Sequence, residues 1–97
     1  MYRRLAPLAA LLLLPLAACS ATGDDGRPTV VASFYPLQYV VQQIAGDRFR
    51  VVNLTAPGVE PHDLDPTVRQ VAEISDADLV VYEDGLAPAV DKAVSSN

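Results

Sequence analysis

Gly58-Val59-Glu60-Pro61-His62-Asp63-Leu64-Asp65-Pro66-Thr67 decides how the rest of the chain is read. Two prolines and a glycine bar this stretch from being one continuous helix or strand. The residues before it, Arg50 to Thr55, are β-rich, and those after it, Val68 to Ser75, carry a helical pattern. The stretch is therefore a loop leading from a strand into a helix. In open α/β sheets such loops, outside the carboxyl ends of the strands, are where ligands bind. This loop holds His62, the only histidine in the chain, with Glu60, Asp63 and Asp65 close by in sequence. A neutral imidazole is the commonest protein ligand for a transition metal.

Working outward, Thr29 to Phe34 is β-branched and apolar and reads as a first strand, its near-continuous apolar run suiting burial on both faces. Pro36 opens a helix at a position where its missing N–H costs nothing. Leu37, Val40, Val41, Ile44 and Ala45 recur at helical spacing as an apolar stripe, and Gly46 ends the helix. Arg50 to Leu54 is the second strand. Asp65 is expected to cap the next helix with Pro66 at its first position, and Val68, Val71, Ala72 and Ser75 to form its inner face. Asp78 to Tyr82 is the third strand, Glu83-Asp84-Gly85 a turn, and Leu86 to Val94 a helix with Pro88 in its first turn. Strand and helix alternate throughout, so the expected fold class is α/β, a parallel sheet with flanking helices on both faces.

Several of these segments together resemble one family. Pro61-His62-Asp63, then Pro66-Thr67 and a helix, then Ala77-Asp78-Leu79-Val80-Val81-Tyr82 is similar to the zinc- or manganese-binding solute-binding lipoproteins of bacterial ABC metal importers. The opening Val31-Ala32-Ser33-Phe34-Tyr35-Pro36-Leu37 matches the same family, and the resemblance runs from about Thr29 to Asn97. It implies a two-lobed periplasmic-binding-protein-like fold, of which residues 29–97 would be an incomplete N-terminal lobe. Val94-Ser95-Ser96-Asn97 follows with no closing strand, which fits the first quarter to third of such a receptor.

The first 18 residues read differently. Arg3 and Arg4 precede an apolar run from Leu5 to Ala18, the pattern of a secretory signal peptide and too short for a span of ~20 residues. Leu16-Ala17-Ala18-Cys19 resembles a bacterial lipoprotein cleavage signal, which implies cleavage before Cys19 and lipid attachment to it. Cys19 is the only cysteine, so no disulfide can form within the chain. Residues 19–28 are small, polar and glycine-containing and read as a flexible tether. The expected location is outside the cytoplasmic membrane, held to it by lipid or in the periplasm.

After cleavage five cations, Arg27, Arg48, Arg50, Arg69 and Lys92, face twelve acids, a net charge of −7. Such a surface repels nucleic acid and anionic membranes. It is compatible with collecting cations, although a solvated acidic surface is the ordinary reading.

By its residue type alone, a lone histidine is more often a solvated or hydrogen-bonded side chain than a ligand. Loop placement and flanking carboxylates favour the ligand. The resemblance implies that His62 is the first of several histidines and a carboxylate that hold the metal. Glu60 could accept a hydrogen bond from the imidazole, Tyr35 could line the cleft or simply pack at its rim, and Asp63 reads as a solvent-facing turn residue. Zinc takes four ligands, or three and a water, so further ligands must come from beyond residue 97. The expected function is capture of a transported zinc or manganese ion and its delivery to an ABC permease. Two alternatives stay open: a surface adhesin-like binding protein, and a metal-dependent hydrolase built on His62 and Asp63. The second lacks support from any nucleophile elbow, paired-histidine motif, P-loop or dinucleotide fingerprint, so the chain is not expected to be an enzyme.

Overall fold

The computed structural model describes residues 24–97. The expected leader, Cys19 and the first part of the expected tether lie outside the described residues. Strands β1 (Thr29–Ala32), β2 (Arg50–Asn53) and β3 (Leu79–Val81) form one sheet in the order β2-β1-β3. Both pairings are parallel, with Val31 opposite Val52 on one side and Val80 on the other. Helices α1 (Tyr35–Ala45), α2 (Val68–Asp76) and α3 (Pro88–Ser95) alternate with the strands, and short 3-10 turns occupy Gly46–Arg48 and Pro61–Asp63. The expected α/β class with a parallel sheet holds.

The central position of β1 follows from its composition. Val30, Val31 and Ala32 are all buried, which requires cover on both faces. Successive side chains alternate between those faces. Val31 joins Leu54, Leu64, Ile74, Ala87, Val90 and Ala93 in the main core beneath α2 and α3. Val30 faces the other way, toward Val41 and Ala45 of α1. The Ala77-Asp78-Leu79 segment has a structural task at the start of the sheet. The Thr29 N–H donates to Asp78 Oδ2 at 2.7 Å, and the Asp78 N–H donates to the Thr29 carbonyl at 3.0 Å. One carboxylate thereby fixes where β1 and β3 begin relative to one another.

Several boundaries differ from expectation. β1 ends at Ala32 because the chain turns at Ser33, although the Ser33 N–H still reaches the Val81 carbonyl at 3.0 Å. Phe34 is the N-cap of α1, and Gly46, at φ +55°, ends that helix as its sequence position suggests. Only part of the α1 stripe is covered. Ala45 is buried and Leu37 and Val41 are half-buried, whereas Val40 is 51% and Ile44 73% exposed. Together with Leu79, these leave an apolar groove between α1 and the free edge of β3.

The start of α2 requires a correction. Asp65 does not cap it and Pro66 is not in it. Thr67 is the N-cap, in a reciprocal box in which its hydroxyl accepts from the Gln70 N–H and the Gln70 side chain accepts from the Thr67 N–H. The helix's inner face also differs from expectation. Val68 is 89% exposed and Ala72 and Ser75 face solvent, while Val71 is half-buried and Ile74 buried. With Gln70 drawn back to the cap, Val71 and Ile74 turn toward Leu54 and Leu64.

Candidate metal centre

The loop that carries His62 leaves the carboxyl end of β2 and reaches α2 at Thr67. Its internal hydrogen bonds are all short-range. Val59 N–H donates to Ala56 O at 3.1 Å, Asp63 N–H to Glu60 O at 3.0 Å and Leu64 N–H to Pro61 O at 3.3 Å. Gly58 supplies the one left-handed backbone position, at φ +81°. Pro61 opens the 3-10 turn, where its missing N–H costs nothing. Leu64 then drops into the core against Leu54 and Ile74 and is only 7% exposed. The loop is therefore a short stiff turn pinned by one apolar side chain, and His62 stands at that turn.

The imidazole is more than half exposed. Glu60 Oε2 lies 3.8 Å from Nδ1 and Asp63 Oδ2 lies 3.8 Å from Nε2, so a carboxylate stands beside each ring nitrogen. Both separations exceed hydrogen-bond length, so neither nitrogen is committed to a protein partner. The two carboxylates make the potential around the ring negative, which favours approach of a cation. Glu60 does not accept the hydrogen bond that its sequence position suggested, and Asp63 is solvent-facing as expected. Among the described residues no group of three or more histidine, cysteine, aspartate or glutamate side chains is placed to hold an ion. Within residues 24–97 the structure thus presents a single imidazole and two loosely flanking carboxylates.

Beside the loop, at the carboxyl ends of β1 and β2, lies an open hollow of about 360 Å³ bordered by Phe34, Tyr35, Asn53, Thr55 and Pro61. Tyr35 is 63% exposed and leans on Tyr39 with ring centroids 6.4 Å apart, so it belongs to the rim of this hollow rather than to the core. The strongest electrostatic pairing lies elsewhere, near the amino end of β1. There the Arg27 guanidinium hydrogen-bonds the Asp25 carboxylate, helped by the Arg27 backbone N–H, and holds that carboxyl down at about 2.

Sequence reasoning placed His62 correctly on the loop after the second strand. It missed Thr67 and Gln70, the residues that close this loop onto α2. The signal was present: Thr67-Val68-Arg69-Gln70 fits the S/T-x-x-E/Q pattern of a capping box.

Residues 30–97 match the family described as zinc-uptake complex component A, periplasmic (ZnuA). The zinc-binding lipoprotein AdcA of Streptococcus pneumoniae serotype 4 is 44% identical over 77 residues, covering 78% of this chain and 15% of its own. The high-affinity zinc uptake system protein ZnuA of Bacillus subtilis is 42% identical over 82 residues, covering 77% of this chain and 25% of its own. Among solved structures, the Zn(II)-bound ZnuA-like domain of S. pneumoniae AdcA superposes with a TM-score of 0.67 at 38% identity, over 73% of this chain and 27% of that one. The metal-dependent lipoprotein YcdH of B. subtilis gives a TM-score of 0.67 at 39% identity, over 72% and 27% of the two chains. The chain thus spans about 15–25% of the length of these curated relatives.

Proposed function

Because the chain belongs to the ZnuA family of periplasmic zinc-uptake components, we propose that it captures zinc outside the cytoplasm and delivers it to the permease of an ABC importer. The observation that carries this reading is the position of His62. It stands on a stiff, exposed turn at the carboxyl ends of the strands, inside the matched region, with neither ring nitrogen tied to another side chain. His62 would give one lone pair to the ion. Parts of the receptor outside residues 24–97 would supply the rest of the four ligands that zinc prefers. Zinc is favoured over manganese because zinc is the ion named for the relatives. An imidazole site by itself suits either. A binding module is favoured over a metal-dependent hydrolase because the matched family consists of uptake components. The adhesin-like alternative has no observation in its favour. Lipid attachment at Cys19 would hold the receptor beside its permease, a reading supported by the sequence around Cys19 and by the lipoprotein relatives.

Titration calorimetry on the full-length protein tests the site. His62→Ala should weaken zinc binding by more than the ~10–100-fold associated with residues that merely support a ligand. Asp63→Asn should change it much less. If His62→Ala binds zinc as the wild type does, His62 is not a ligand.

A further inference from the structure

The loop that presents His62 is closed at its neck by one side chain. Gln70 lies in the first turn of α2, yet its Nε2 donates across to the Leu54 carbonyl at 2.7 Å, at the point where the chain leaves β2. Its Oε1 accepts from the Thr67 N–H at 2.9 Å and from the Thr67 hydroxyl at 3.2 Å, at the point where the loop returns. The Gln70 N–H in turn donates to Thr67 Oγ1 at 3.3 Å. The orientation of the amide is determined by its partners. Leu54 O can only accept and Thr67 N–H can only donate, so rotating the amide by half a turn would lose both bonds. The departing end of the loop is also tied to the sheet. Leu54 N–H reaches Ala32 O at 3.0 Å, and the Thr55 hydroxyl donates to Ser33 O at 2.6 Å.

We infer that Gln70 is a positioning residue for the metal site, a clamp that joins the two ends of the His62 loop and holds the imidazole turn in place for the incoming ion. The inference rests on the reading of His62 as a zinc ligand. A capping box needs only the acceptor atom of the residue at this position, and glutamate serves as well. The second bond, from Nε2 to Leu54 O, contributes nothing to capping α2. It is part-buried and therefore shielded from competing water. Its effect is on the loop: the two ends are held at one separation before the ion arrives, so less chain ordering remains to be paid on binding.

Two variants in the full-length protein separate clamp from cap. Gln70→Glu keeps the acceptor for Thr67 and removes the donor to Leu54 O, setting a carboxylate against that carbonyl. Gln70→Met keeps the length and removes both. Amide hydrogen exchange in the metal-free protein reads the loop through the Asp63 and Leu64 N–H groups, and chelator competition reads zinc affinity. One net hydrogen bond corresponds to about 2- to 10-fold in either quantity. Gln70→Glu should therefore speed loop exchange and weaken zinc by about that factor while the helicity of α2 is retained, and Gln70→Met should do at least as much. Loop exchange unchanged in Gln70→Glu would overturn the clamp. A loosened loop with wild-type zinc affinity would overturn its role in the site. His62→Ala run in parallel keeps the two readings apart: if it binds zinc like the wild type, the ligand assignment fails, while the exchange data still decide whether Gln70 closes the loop.

Discussion

Replacing Leu64 with alanine should loosen the His62 loop from below. Leu64 is 7% exposed and packs with Leu54 and Ile74, the first at the start of the loop and the second on α2. Burying a leucine side chain is worth ~1.5–3 kcal/mol, and truncation in a core adds the cost of the cavity left behind, giving ~2–5 kcal/mol for Leu→Ala. Leu64 sits on a loop that can settle partway into the space, so the lower part of that range applies, ~2–3 kcal/mol. Unfolding of the full-length protein in urea, followed by far-UV circular dichroism, reads the loss. The midpoint should drop without a change in slope, as expected when the native state alone is weakened. Val68→Ala, at a residue 89% exposed, is the control and should stay within ~0.5 kcal/mol of the wild type. Zinc affinity of Leu64→Ala should fall as well, because His62 stands two residues from the lost anchor. A Leu64→Ala protein within ~0.5 kcal/mol of the wild type would show that the loop is not held by this side chain.

Three further outcomes follow from the same contacts. Thr67→Ala should cost ~1 kcal/mol in thermal or urea unfolding, the usual value for a lost N-cap, whereas Asp65→Ala should be close to neutral; the reverse order would return the cap to Asp65. The Asp25 carboxyl should titrate at about 2 by NMR and return toward the ordinary aspartate range in Arg27→Gln. Because its pKa is lowered in the folded state, whatever stability the pair adds is present above the ordinary aspartate value and is lost as pH falls toward 2. Expressed in a bacterium, the wild type should partition into membranes and detergent, and Cys19→Ala should block processing; a mutant still cleaved, with the wild type released in soluble form, would remove the lipid anchor.

The parts of this fold that were legible in the sequence are those set by local chemistry. β1 could be read as buried on both faces because Val30, Val31 and Ala32 leave no polar face, and the sheet buries all three. Pro36 and Gly46 mark the ends of α1 because one lacks an N–H and the other tolerates positive φ, and the helix runs from Tyr35, one residue before Pro36, to Ala45. His62 could be placed on a loop because prolines and glycine surround it. What was not legible depends on choices between equally good local patterns. Asp65-Pro66 and Thr67-x-x-Gln70 both fit a helix start, and the second prevails because Gln70 also satisfies the Leu54 carbonyl, a partner 16 positions away in the chain. The inner face of α2 then follows the cap, which is why Ile74 rather than Val68 enters the core.

The same dependence shapes the candidate metal centre. Strand-end loops collect ligand-bearing residues from separate βα units, and within residues 24–97 only one unit contributes a histidine. Glu60 and Asp63 are neighbours of His62 in sequence, and their carboxylates still stop 3.8 Å from its ring nitrogens. A tight turn stiffened by Pro61 and anchored by Leu64 spreads adjacent side chains outward instead of converging them on one point. That geometry suits the role proposed for His62, a single imidazole held at a fixed place. It also makes the neck of the loop the place where small errors matter most, since a shift between Leu54 and Thr67 would carry the whole turn, and the imidazole with it.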